Sequence, residues 1–104
     1  MANFVFAYHG GSGAPATPQE QEQVMAEWGA WFGALGSAVV DGGAPFGASS
    51  MVRPDGSTAN AGAAGLGGYS VVTATDLAAA TNLAKDCPVL RAGGSVDVYE
   101  VIPM

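Results

Sequence analysis

TPQEQEQVMAEWGAWFGALGS, residues Thr17 to Ser37, spaces its large apolar side chains along one face of a helix. Val24, Trp28, Trp31, Phe32 and Leu35 fall at i, i+4, i+7, i+8 and i+11, the pattern of a 3.6-residue period. The start is also encoded. Thr17 offers a capping oxygen, Pro18 suits the first helical position, and Glu20 stands three residues after Thr17 as in a capping box. Such a cap is worth about 1 kcal/mol. Burying one large apolar side chain is worth roughly 1.5–3 kcal/mol, so the aromatic stripe rather than the cap decides where this helix goes. It needs a flat apolar surface.

The flanking sequence supplies that surface as short strands. Upstream, Asn3 to Tyr8 alternates, with Phe4, Phe6 and Tyr8 on one face and Val5 and Ala7 on the other. Gly10, Gly11, Gly13 and Pro15 then form a loop into the helix. Downstream, Gly36 stops the helix, and Ser37 to Val40 reads as a second strand ended by Asp41-Gly42-Gly43. Ala44 to Gly68 is rich in Gly, Ala and Ser. Within it Met51-Val52-Arg53 reads as a short strand, Asp55-Gly56 as a turn and Asn60 to Gly67 as an exposed loop. Tyr69 to Thr73 is β-branched and aromatic, a strand. Thr73 or Thr75 is the expected cap of a second helix, with Asp76 in its first turn. Leu77, Ala80, Leu83, Ala84 and Cys87 form its apolar face, and Pro88 ends it. Arg91 to Gly94 turns the chain into a last strand, Ser95 to Ile102.

The order βαβ(β)βαβ predicts a ferredoxin-like α+β fold: one domain over residues 1–104, an antiparallel sheet and two helices on one face. The other face is not written as a solvent face. The first strand is apolar on both sides. The last offers Val96, Val98, Glu100 and Ile102 in one register and Ser95, Asp97, Tyr99 and Val101 in the other. A second copy of the sheet in a twofold homodimer is the expected cover.

Composition narrows the function classes. Three cations (Arg53, Lys85, Arg91) against nine carboxylates give a net charge of −6 over 104 residues. Such a chain lacks the basic footprint that holds nucleic-acid phosphates or an anionic membrane surface. The N-terminal apolar run has no basic flank and is too short for a signal peptide or a membrane span, which predicts a cytoplasmic protein. One cysteine, Cys87, fits a reducing compartment and reads as a packed thiol. No metal-ligand spacing occurs, and Gly10-Gly11-Ser12-Gly13 is neither a dinucleotide fingerprint nor a P-loop, so no metal or cofactor is expected.

Four segments together resemble the YCII-related (DGPF-like) proteins. They are Val39 to Gly47, Val52 to Gly56, Gly68 to Val72, and the run Gly93-Gly94-Ser95-Val96-Asp97-Val98-Tyr99-Glu100-Val101. The resemblance spans about Asn3 to Pro103 and implies a dimeric α+β barrel, two ferredoxin-like protomers pressed sheet to sheet with a pocket near each sheet. It also implies a catalytic pair, a His in the first helix and an Asp before the proline that ends the second. This chain carries Met25 and Cys87 at those places, and Gly43-Ala44-Pro45-Phe46 where the longer branch has Asp-Gly-Pro-Phe. The resemblance therefore carries the scaffold and not that pair.

The residues themselves offer other candidates. His9, at a strand end beside glycines, is a candidate general acid or base, its unperturbed pKa lying near 6.5. Asp41, after the second strand, is its candidate partner; the alternative is an Asp that caps its own turn. Glu100 shares a register with valines and would need a mate if buried, and Arg53 is the candidate. Tyr8, Tyr69 and Tyr99 are candidates to line a ligand pocket with Trp28 or Trp31, against the plainer reading that they pack the core. The expected function is binding of a small organic molecule in a pocket by the sheet, with Arg53 and Glu100 also candidate ligand contacts; His9 with Asp41, or with Glu100, is the candidate acid–base pair should the chain be an enzyme. The alternative is a non-catalytic dimerising or regulatory module.

Overall fold

The computed structural model describes residues 1–10, 17–60 and 66–104. The loop expected at Gly11, Gly13 and Pro15, and most of that expected at Asn60 to Gly67, lie outside the described residues. The elements are β1 (Ala2–His9), α1 (Pro18–Leu35), a 3-10 turn (Gly36–Ala38), β2 (Val39–Pro45), β3 (Met51–Val52), β4 (Thr58–Ala59), β5 (Leu66–Ala74), α2 (Leu77–Ala84), α3 (Pro88–Arg91) and β6 (Ser95–Glu100). β2, β5, β1 and β6 lie in that order in one antiparallel sheet. This is the predicted α+β arrangement, and its order is that of a ferredoxin-like fold. β3 and β4 form a separate hairpin. The single strand expected at Met51 is thus half of an arm closed at Asp55-Gly56, where Asp55 Oδ1 accepts from the Ser57 amide at 2.8 Å and its hydroxyl at 2.6 Å.

α1 behaves as its sequence requires. Thr17 Oγ1 accepts from the Glu20 amide at 3.1 Å, and Gly36 terminates the helix at φ +57°. Trp31 is buried, while Trp28, Phe32 and Leu35 are half-buried against the same core; Val24 lies outside it, a turn too early to reach the sheet. The Trp31 indole N–H donates to the Leu83 carbonyl at 3.1 Å, tying α1 to α2 while its ring stacks on Phe6. α2 is capped by Asp76, whose Oδ1 accepts from the Ala79 amide at 2.8 Å, rather than by Thr73 or Thr75. Thr73 is still in β5, so the chain must leave the sheet before a cap can form. Pro88 does more than end a helix: it opens the short α3.

Alternation in β1 and β5 sorts the two sheet faces. Phe4, Phe6 and Tyr8, with Ser70, Val72 and Ala74, lie under the helices and are buried. Val5, Ala7 and His9, with Tyr69, Val71 and Thr73, lie on the other face and are half-buried, with no helix of the described residues packed over them. β6 ends at Glu100, two residues before the expected Ile102, which is exposed.

Candidate functional site

Asp41 to Gly43 does not end the second strand; it bulges it. Between Val39 and Ala44, β2 twice carries one residue more than β5 opposite. Asp41 Oδ1 accepts from the Gly43 amide at 2.8 Å, so its side chain caps the local turn. Gly43 sits at φ +74°, and a Cβ there would lie 1.7 Å from the Tyr69 carbonyl oxygen. The bulge directs the Gly42 carbonyl at Ser70, which donates to it at 2.8 Å. Tyr8 in turn donates to Ser70 Oγ at 2.7 Å.

Above this chain of hydroxyls lies a pocket of about 520 Å³ on the helix side of the sheet. One wall is Met25, Trp28 and Phe32 of α1, with Val89 beside them. The opposite wall is largely main chain: Gly42 to Pro45 of β2 and Gly67 to Tyr69 of β5. Tyr8, Gly10 and Ser70 complete it. Trp28 stands edge-on to the Tyr8 ring at a centroid distance of 5.0 Å. Burial pushes the Tyr8 phenol up to about 12, against the smaller opposing effect of its bond to Ser70. Burial likewise pushes the Cys87 thiol, packed in the same core, up to about 11. Neither group is a base near neutral pH. No charged side chain occurs in the described lining, which suits an uncharged ligand.

The sequence candidates are divided between the two faces. Tyr8 is in the pocket lining. Tyr69 contributes to its wall, while its ring stacks on Phe46 at 5.7 Å. His9 is on the open face, and the carboxylate against its imidazole is that of Asp97, Nε2 to Oδ2 at 2.7 Å, not that of Asp41. Tyr99 is on the open face, opposite Val5 in β6, and 61 % exposed. Glu100 sits opposite Phe4 at the strand end and is exposed, so no buried charge needs a mate. Arg53 belongs to the hairpin arm, where its guanidinium donates to Ser57 Oγ at 3.5 Å; among the described residues no ion pair joins it to Glu100.

Sequence reading missed Asp97, Ser70 and Gly42. Asp97 could have been found, because antiparallel pairing of the first and last strands puts it on the face of Ala7 and His9. Ser70 carried a weaker signal, a lone hydroxyl on the buried side of an otherwise apolar strand. Gly42 carried none, since its role depends on the bulge. Among the described residues no helix is long and apolar enough to cross a membrane.

Residues 5–104 match the family model of the YCII-related domain. No curated protein and no solved structure matches the chain.

Proposed function

The chain belongs to the YCII-related family, and on that premise we propose that it binds a small, uncharged organic molecule in the pocket under α1. The observation that carries this reading is the pocket itself: about 520 Å³, aromatic on one wall and main chain on the other. Trp28 in the wall is the reporter. A neutral aromatic probe is expected to quench tryptophan fluorescence saturably. Met25→Glu puts a charge into the apolar wall at a residue 68 % exposed, so folding should be little affected. The variant is expected to bind the probe at least tenfold more weakly, about 1.4 kcal/mol. Unsaturable quenching, or equal affinity in the variant, would overturn the reading. The acid–base part of the reading rests on His9 with Asp97, outside that lining, and a reaction at that pair is a separate question from binding in the pocket.

A second reading is favoured by the open face, where Val5, Ala7 and Val71 stand half-buried between Tyr99 on one side and the Phe46–Tyr69 stack on the other. A second copy of this chain is its proposed cover, since a twofold axis sets one flat apolar face against itself. Light scattering at tens of micromolar is expected to give twice the 10.3 kDa of one chain. Val71→Glu is expected to return it to one. A wild-type mass of one chain refutes the dimer and leaves the pocket untouched. A single cysteine, buried in the core, supports a reducing compartment, and we place the protein in the cytoplasm.

A further inference from the structure

We infer that the pocket selects hydrogen-bond donors: its ligand is a neutral ring compound whose hydroxyl or N–H donates to the Tyr8 phenol oxygen. This deepens the pocket reading above and rests on it. The direction of the hydroxyl chain is forced by its inner end. The Gly42 carbonyl can only accept, so Ser70, 2.8 Å away, spends its one proton there. Ser70 must then accept at its other contact, and Tyr8, 2.7 Å away, spends its own proton on Ser70. What Tyr8 has left is a lone pair.

Both residues line the pocket, but Ser70 has no exposed surface and Tyr8 keeps 7 %, so of the two Tyr8 is the one a ligand can touch. Two nearby main-chain amides offer no competing donor. The Gly43 amide is committed to Asp41 Oδ1, and the Phe46 amide to the Gly67 carbonyl at 2.9 Å. Burial keeps the phenol neutral, with its pKa pushed up to about 12. A ligand that only accepts would face oxygen with oxygen, or would have to turn Ser70 away from Gly42 and orphan a carbonyl. Sites built around one hydrogen bond reject an analogue lacking the matching group, because their own polar atom is left unpaired.

Indole and benzofuran test this directly. They have nearly the same shape and apolar area, but indole donates through N–H and benzofuran carries only an acceptor oxygen. Calorimetry on the wild-type chain is expected to show indole binding at least tenfold more tightly. Ser70→Ala frees the Tyr8 proton to turn outward, and the preference is expected to collapse to about equal affinity or to reverse. Equal affinities, or tighter benzofuran, in the wild type overturn the donor rule while leaving the pocket intact. A preference that persists unchanged in Ser70→Ala overturns it as well. If that variant does not fold, the wild-type pair still decides. No heat from either probe up to its solubility limit overturns the pocket reading, and the donor rule with it.

Discussion

Gly43→Ala is expected to destabilise the chain by at least about 3 kcal/mol, the largest effect of any single methyl group in the sheet. Two costs add. An alanine at φ +74° sits in the left-handed region, which costs an L-residue roughly 1–2 kcal/mol. The added Cβ would also fall 1.7 Å from the Tyr69 carbonyl oxygen and 2.6 Å from its carbon. Those atoms are main chain of β5, held by β1 on one side and β2 on the other, and cannot swing aside as a flexible side chain would. Relief requires undoing the bulge, which also removes the Gly42 carbonyl from Ser70. For a domain of this size each kcal/mol moves Tm by roughly 4–8 °C, so the variant should melt more than ten degrees early. Gly42→Ala is the control. Nothing lies within 4 Å of its Cβ, its φ is not positive, and it should stay within about 1 kcal/mol of wild type. Equal melting of wild type and Gly43→Ala would mean that the bulge is not built as described.

The same bulge shows where sequence reading stops. α1 was legible because its cap, its apolar period and its glycine stop are all local and all agree. β1 was legible because strict alternation admits one assignment of faces. Asp41-Gly42-Gly43 reads as a strand end because locally it is a turn: an Asx cap followed by a glycine at positive φ. Only pairing with β5, some thirty residues on, turns that local motif into a bulge in a continuing strand. The failure at His9 has the same cause. Asp41 was the acid nearer in sequence, while Asp97, 88 residues away, is brought to it by β1–β6 register. Glu100 went wrong differently. Its register was correct, but the face it shares with Val96 and Val98 is no longer covered at the strand end.

Division of the candidates between two faces also constrains chemistry. The pocket holds a tyrosine and a serine whose protons are both committed, and no charged side chain in its described lining. The carboxylate–imidazole pair of His9 and Asp97 lies on the opposite face of the sheet, outside the pocket lining. The pocket and the pair are therefore separable by mutation. His9→Gln and Met25→Glu need not share a phenotype.

The second large effect is a loss of stability in alkali, and Tyr8 and Cys87 set its window. Unfolded, the thiol and phenol titrate near 9.0 and 10.0; in the native core burial pushes them up to about 11 and about 12. From pH 9 upward the unfolded chain sheds protons that the native chain keeps. Stability therefore falls as pH rises, is fully present below pH 9, and is lost by about pH 12. At 1.36 kcal/mol per unit, each displaced group is worth about 2–3 kcal/mol, and the two together on the order of 5 kcal/mol. That approaches the whole stability of a small domain. Urea midpoints measured from pH 7 to 11.5 are expected to be level at first and then to drop steeply. Tyr8→Phe separates this from general charge repulsion. It keeps the ring against Trp28 and loses one hydrogen bond, so near pH 7 it should be about 1 kcal/mol less stable than wild type. It also has no phenol to ionise, so above about pH 11 it should be the more stable of the two. The two stability curves must cross. Curves that fall in parallel would show that the Tyr8 proton is not held by the native core.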